Sequence, residues 1–319
     1  MSENINPRIL VTGASGFIGK EVVNSILAIE KSNKVAIAVR KNFDHPSERV
    51  LCHKIKSLED KIDWSEALNN ISVVVCCSGR AHVMNERSAK PLEAFRKVNV
   101  EGTLNLAIQS AKAGVKRFIF LSSIKVNGES TDQDVPFQAD DNPSPKDAYA
   151  ISKYEAEQGL LKIAANTNME VVIIRPALVY GLGVKGNFLS MLNWVNSGIP
   201  LPLGAINNKR SFVAIDNLVS FIQACLYDPK AANQIFLVSD GEDISTSDLI
   251  KLIYKIYRKP NRLINVPVSW LKTIAAISGK RSIISRLCDS CQINIDKSCH
   301  LLDWKPPLSI DEGLKKLIE

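Results

Sequence analysis

Tyr149 and Lys153 stand four residues apart in Tyr149-Ala-Ile-Ser-Lys153. On a helix that is one turn, so a phenol and an ammonium share a face. A free phenol titrates near about 10 and is a poor base at neutral pH. A neighbouring ammonium favours the phenolate, and the phenol can then exchange a proton with a substrate hydroxyl or carbonyl. The spacing alone is common on helix surfaces and gains weight from what precedes it. Ser122 and Ser123 close the apolar run Phe118-Ile-Phe-Leu121. A hydroxyl just past a buried strand can hydrogen-bond a reacting oxygen, because ligands of open α/β sheets sit beyond the carboxyl ends of strands.

A second constellation opens the chain. In Val11-Thr12-Gly13-Ala14-Ser15-Gly16-Phe17-Ile18-Gly19 three glycines recur at G-x-x-G-x-x-G spacing between a strand-like run and a helix-like one. One glycine permits the tight turn, one lets backbone approach a pyrophosphate, and one lets helix and strand pack closely. The helix start aims N–H groups and positive dipole at the phosphates. Residues 13–19, with Ser15, Phe17 and Ile18 between the glycines, are therefore expected to bind a dinucleotide. Its cationic nicotinamide would further favour a Tyr149 phenolate. The second strand ends in Arg40, where an acidic residue would suit the ribose 2′-OH of NAD. A guanidinium suits a 2′-phosphate, so NADP is expected over NAD; the alternative is a solvated arginine.

These groups need a scaffold, and the hydrophobic pattern describes one. Strands are expected at 8–12, 34–39, 71–77, 117–122 and 170–174, and helices at 16–31, 92–113 and 147–165. The strands are apolar on both faces, which implies a parallel sheet covered by helices on both sides. The β-α alternation predicts a Rossmann-type doubly wound α/β fold over 1–177. After Pro176 the rhythm changes. An apolar segment at 188–195, a strand at 234–238, a helix at 245–257 and a proline-interrupted tail predict a smaller C-terminal substrate domain, 178–319, with elements around 207–240 returning to the sheet. Residues 268–287 are amphipathic, with Lys272, Lys280, Arg281 and Arg286. A packed helix is the plainer expectation and contact with a membrane surface the alternative.

Composition bounds the rest. The 319 residues are 45% hydrophobic and 23% charged, with a formal net charge of +7. A basic tilt suits a solvated surface or an anionic substrate such as a phosphate ester. No basic-aromatic stripe suggests nucleic acid. The seven cysteines are odd in number and irregularly spaced, against a disulfide framework. Cys288-x-x-Cys291 with Cys299-His300 makes a poor zinc set, so no metal is expected. No apolar run is long enough to span a membrane. The start, 1–8, has no apolar core, so no signal peptide is expected and the cytoplasm is the default.

Taken in order, the glycine loop, the strand-end serine, Tyr149-x-x-x-Lys153 and Arg175-Pro176 with Val179-Tyr180-Gly181 resemble the extended short-chain dehydrogenase/reductases, the nucleotide-sugar epimerases and dehydratases. The resemblance covers nearly the whole chain. It implies Ser123, Tyr149 and Lys153 as the catalytic triad. It implies cofactor contacts from Asn99, in Val98-Asn99-Val-Glu-Gly102-Thr103, and from Pro176. It implies Asn187 and Arg210 as ligands of a nucleotide diphosphate, with Ser123 also touching the sugar. By analogy it offers a homodimer built on the helices at 92–113 and 147–165.

The family's dehydratases carry an Asp-Glu pair just after the catalytic hydroxyl residue. Here those positions are Ile124 and Lys125, which argues against dehydration. A C4 reductase using NADPH and a C4 epimerase that recycles its own NAD remain, and Arg40 leans toward the reductase. Phe120-Leu-Ser-Ser-Ile-Lys-Val-Asn-Gly-Glu129, Gly186-Asn187-Phe188 and Pro200-Leu-Pro-Leu-Gly204 are similar to a UDP-glucose 4-epimerase-like subgroup of bacterial surface-polysaccharide synthesis. That subgroup includes reductases that turn a UDP-4-keto-6-deoxy-N-acetylhexosamine into UDP-N-acetylquinovosamine, and shades toward enzymes of lipid-linked sugars. Asn127 departs from it, standing where V-Y-G has tyrosine. A non-enzymatic NADP sensor is a remote alternative, since such relatives commonly lose the Tyr or the Lys and both survive here.

Overall fold

The computed structural model describes residues 8–29, 34–41, 45–58, 62–81, 90–279 and 281–318. Seven parallel strands form the main sheet: β1 (Arg8–Thr12), β2 (Val35–Val39), β3 (Val50–Lys54), β4 (Ile71–Cys76), β5 (Arg117–Leu121), β6 (Glu170–Pro176) and, far along the chain, β9 (Ile235–Val238). Their order is β3-β2-β1-β4-β5-β6-β9. The order reverses at β1, whose neighbours are β2 and β4, and a crevice there lies beyond the carboxyl ends of the strands. Every residue of β2 and β5 is buried, as strands covered on both faces require.

Alternation within a strand feeds two cores. Ile119 and Leu121 of β5 join one face, with Val172 and Ile174 of β6. Phe118 and Phe120 join the other, with Val171 and Ile173. The first face is covered by α1 (Phe17–Ile29), which buries Val22, Val23, Ile26 and Leu27, and by α6 (Ile215–Tyr227). The second is covered by α3 (Thr103–Lys112) and α4 (Ala148–Asn166).

The helix expected over 92–113 is interrupted. A short helix, α2 (Pro91–Arg96), passes through a π-helical stretch, Lys97–Gly102, before α3 begins. Hydrophobic spacing carries no sign of it; the stretch includes Asn99, whose side chain is hydrogen-bonded to Arg80 and Ser152. The end of the first expected helix, at Lys31, lies outside the described residues.

A three-stranded sheet, β10-β8-β7, forms a separate layer: β7 (Leu178–Tyr180), β8 (Arg210–Ala214) and β10 (Asp243–Ile244). It packs with α5 (Gly186–Ser197) and α7 (Thr246–Ile256) around Tyr180, Phe188, Phe212, Ile250 and Tyr254. The 268–287 segment is two helices, α8 (Val268–Ile277) and α9 (Arg281–Cys288). Gly279, at φ +69°, turns the chain between them. Two short helices, α10 (Asp296–Leu302) and α11 (Ile310–Lys315), complete the chain.

Candidate active site

The glycine loop follows β1. Gly13 has φ +73°, and a Cβ there would meet the Ser78 nitrogen at 2.8 Å. A Cβ on Gly19 would lie 2.2 Å from the Gly13 carbonyl oxygen. Both positions therefore exclude side chains, one by conformation and one by contact. The Gly13 carbonyl accepts from Gly16 N at 2.8 Å, closing the turn. Ser15 and Gly16 are exposed at the start of α1, which has no acidic residue in its first turn. An anion is thus favoured there by dipole and N–H groups together. Phe17 and Ile18 are half-buried, and Phe17 packs against both the main and the C-terminal cores. Thr12 and Ser78 hydroxyls lie 2.8 Å apart, joining the ends of β1 and β4. Arg40 is exposed one residue past β2.

Across the crevice, α4 starts at an Asp147 N-cap whose carboxylate accepts from Ala150 N at 2.7 Å. That places Tyr149 in the first turn and Lys153 one turn on. Tyr149 lies close enough to Ser123 for that hydroxyl to favour the phenolate, while burial outweighs it and pushes the phenol up to about 12. Phe95 meets the Tyr149 ring edge-on at 6.1 Å between centroids. Lys153 is buried, with Nζ 4.1 Å from the centre of the Phe120 ring. Burial pulls its ammonium down to about 8, against the fields of Cys76, Glu157 and Cys77. Among the described residues no carboxylate forms an ion pair with it. A Cβ placed on Gly79 would lie 3.6 Å from Lys153 Nζ and 3.3 Å from Asn99 Oδ1. A buried ammonium beside a surface free of side-chain atoms fits the hydroxyl-rich ribose of a dinucleotide.

Asn99 is buried and fully engaged. Its Oδ1 accepts from Arg80 N at 2.7 Å, and its Nδ2 donates to Ser152 Oγ at 2.9 Å. Ser152 Oγ in turn donates to the Tyr149 carbonyl at 2.7 Å. Asn99 thereby ties the loop after β4 to the first turn of α4. π-Helical insertions of this kind often occur at functional sites.

Ser123 caps a 3-10 turn, Ile124–Val126, and accepts from Lys125 N at 3.3 Å. Lys125 ion-pairs with Asp147, so the residue standing in the dehydratase position instead pins this turn to the start of α4. Ser122 points the other way and donates to buried Glu157. Glu157 takes Arg175 by Nε at 3.0 Å and Nη2 at 2.5 Å. Arg175 Nη1 donates to Asn127 Oδ1 at 2.9 Å, and Asn127 Nδ2 donates to the Gln138 carbonyl at 2.8 Å. Asn127 is thus a buried clamp on Arg175. The sequence reading missed Glu157, although its place one turn beyond Lys153 was a usable signal. Pro176 is buried at the end of β6, paired with Val238 of β9.

Arg210 and Asn187 come from the C-terminal layer. Arg210 opens β8, is half-buried, and donates to the Asp289 carbonyl at 2.9 Å. Burial lowers its pKa, opposed by Cys291 and Asp289. Asn187 is exposed in the first turn of α5. Its neighbour Phe188 meets Phe212 of β8 edge-on at 6.3 Å, holding α5 against the strand that Arg210 begins. Arg286 lies near enough to Asp147 for its charge to favour that carboxylate, bringing α9 to the rim of the site.

Comparison with known proteins places this arrangement. The chain is 45% identical over 309 residues to a UDP-glucose 4-epimerase of Vibrio cholerae, covering 97% of this chain and 93% of that one. It is 26% identical to a dTDP-4-dehydro-6-deoxyglucose reductase of Escherichia coli, covering 98% and 96%. A solved UDP-glucose 4-epimerase of Thermotoga maritima, bound to UDP-glucose, superposes with a TM-score of 0.77 at 25% identity, over 98% of this chain and 97% of that one. Residues 9–239 match one family description, and the chain belongs to that family, the NAD dependent epimerase/dehydratase family.

Proposed function

We propose that this protein is an NAD-dependent 4-epimerase of UDP-hexoses. The observation that carries the reading is the 45% identity to the Vibrio cholerae UDP-glucose 4-epimerase along 97% of the chain, with Ser123, Tyr149 and Lys153 all in place. It supports the epimerase over the C4 reductase that Arg40 alone favoured. One observation keeps the reductase as a second reading: Arg40, exposed past β2, is where an NAD site would carry an acidic group.

Bound NAD would supply the oxidising and reducing equivalents at C4. Gly13, Ser15, Gly16, Phe17, Ile18 and Gly19 would hold its pyrophosphate, Lys153 its ribose, and Asn99 and Pro176 would line its nicotinamide end. Tyr149 would take the proton of the C4 hydroxyl and return it to that same oxygen once the keto sugar has turned and its C4 is reduced from the opposite face. A phenol at about 12 is too weak an acid to start ionised, so the charge of Lys153 and of the bound cofactor must lower it. Ser123 would hold the reacting oxygen. Asn187 and Arg210 would bind the UDP diphosphate, Arg210 as a charged donor already fixed by Asp289. We place the reaction in the cytoplasm and in surface-polysaccharide synthesis, with a second copy pairing through α3 and α4.

The test is direct. Purified protein incubated with UDP-glucose should form UDP-galactose without added cofactor and release NAD on denaturation. Stoichiometric NADPH oxidation with a UDP-4-keto-6-deoxy-N-acetylhexosamine, and no interconversion of UDP-hexoses, would overturn the epimerase in favour of the reductase.

A further inference from the structure

The net charge of this chain is carried by one segment. Residues 249–288 contain nine of the 40 Lys and Arg and none of the 33 Asp and Glu. The remaining residues hold 31 basic against 33 acidic side chains, so they are slightly acidic. Its lysines and arginines adjoin only as the pairs Arg258-Lys259 and Lys280-Arg281; what marks the segment is the lack of any acid along 40 residues.

At the end of that segment an apolar stripe faces outward. In α8 the buried side chains are Leu271 and Ala275, one turn apart. The other face carries Trp270 at 66% exposure, Ile274 at 61% and Ile277 at 84%. Their spacing, i, i+4 and i+7, puts them in one line. Ile277 is the most exposed large hydrophobic side chain among the described residues. Past the Gly279 turn, α9 adds exposed Ile283, with exposed Arg281 before it and exposed Arg286 after it. Lys272, on the side of α8 away from that line, ion-pairs with Asp289 at 2.9 Å, so the hairpin is anchored to the backbone that also holds Arg210.

We propose that the α8–α9 hairpin docks this enzyme on an anionic lipid surface. Single exposed isoleucines are ordinary, but a Trp-Ile-Ile line on one helix face is an unburied apolar patch. A helix of ten residues is about 15 Å long, too short to span a bilayer and suited to lying in the interface. No helix among the described residues is long and apolar enough to cross a membrane. Lys251 and Lys272 are already paired with Asp248 and Asp289, and the basic residues beyond those two complement anionic headgroups, each worth about fivefold in binding near the surface. The aliphatic stripe separates this surface from a nucleic-acid site, where stacked aromatics rather than isoleucines would be needed. Arg286 lies close to Asp147, so docking would set the mouth of the site beside the headgroups.

The test uses the full chain with vesicles of equal parts phosphatidylglycerol and phosphatidylcholine, and with phosphatidylcholine alone. The protein should sediment with the first and not the second, and added salt should release it. Trp270 emission should shift to the blue, and Trp270→Phe should remove the shift; of the other three tryptophans Trp64 and Trp304 are buried already and Trp194 lies on α5, outside the hairpin. Replacing Ile274 and Ile277 together by Asp should weaken vesicle binding by at least about tenfold, with turnover of UDP-glucose in free solution unchanged. Failure to sediment at low salt would overturn the proposal. So would equal binding by the double variant, which would assign the contact to charge elsewhere. A concentration-dependent dimer that the double variant abolishes would overturn it too, making the stripe a contact between copies.

Discussion

Two buried cations meet at α4, Lys153 on the helix itself and Arg175 of β6 against Glu157 one turn further on, and the protein treats them in opposite ways. Arg175 meets Glu157 through two hydrogen bonds and Asn127 through a third, and Ser122 donates to the Glu157 Oε1 that Arg175 Nε also meets. Lys153, four residues before Glu157, is equally buried but rests on the face of Phe120 with no carboxylate paired to it. Buried charge is costly unless it is paired and hydrogen-bonded. The first region meets that requirement within the protein. The second leaves it to be met by something that binds, and catalytic groups are commonly perturbed in this way. The network fixes the floor, and the site above it keeps an unsatisfied charge.

The largest effect should come from the reacting group. Tyr149→Phe keeps the ring that Phe95 packs against and removes the phenolic oxygen. Turnover should fall by about a hundred- to ten-thousandfold, with cofactor binding and melting temperature close to the parent. A variant that still turns over UDP-glucose at near-normal rate would remove Tyr149 from the mechanism.

Breaking the paired cation should cost folding instead. Arg175→Met leaves the Glu157 carboxylate buried without its partner and should destabilise by about 3–5 kcal/mol, read by chemical denaturation. Loss of activity should follow loss of the fold and not precede it. A stability within 1 kcal/mol or so of the parent would show that Glu157 finds another donor.

Lys153→Met should act with the opposite sign. The ammonium titrates near 8 in the folded chain and 10.5 in the reference state. Between those values the unfolded chain holds a proton that the folded one lacks, so stability attributable to Lys153 rises with pH. Below about 8 its burial cost is complete. The cofactor-free variant should therefore melt higher than the parent at pH 7, lose that advantage toward pH 10.5, and be inactive throughout. A lower melting temperature at pH 7 would mean that Lys153 already has its counter-charge.

Much of this was legible because it is local. Gly13 and Gly19 are read from a turn and a close approach, and Tyr149 and Lys153 from one helical turn, so spacing in sequence is spacing in space. The main strands were legible because burial on both faces leaves continuous apolar runs. The misses share another cause. β3 is an edge strand of mixed burial, and β7 and β10 have three and two residues. α6 starts directly after β8 with no loop to announce it. Glu157 was passed over, and Asn127 read only as a departure from V-Y-G, because their meaning lies in Arg175, which reaches them across 18 and 48 residues. At the break, Asn99 is hydrogen-bonded to Arg80 and Ser152, and no hydrophobic period records such partners.

Arg40 gives the smallest expected effect and the sharpest choice between cofactors. It is exposed, unlike Lys153 and Arg175, so solvent already satisfies its charge and removing it should change stability by no more than about 0.5 kcal/mol. Its worth lies in what it meets. If the protein keeps NAD, the ribose 2′-OH needs an acceptor that a guanidinium cannot be, and Arg40→Ala should alter NAD affinity by less than about threefold. If the protein uses NADP, the 2′-phosphate would take paired charge-assisted bonds from Arg40, and the same variant should weaken NADP by about ten- to a hundredfold while leaving NAD alone. Titrating both cofactors against parent and variant separates the two outcomes, and only the second would restore the reductase to first place.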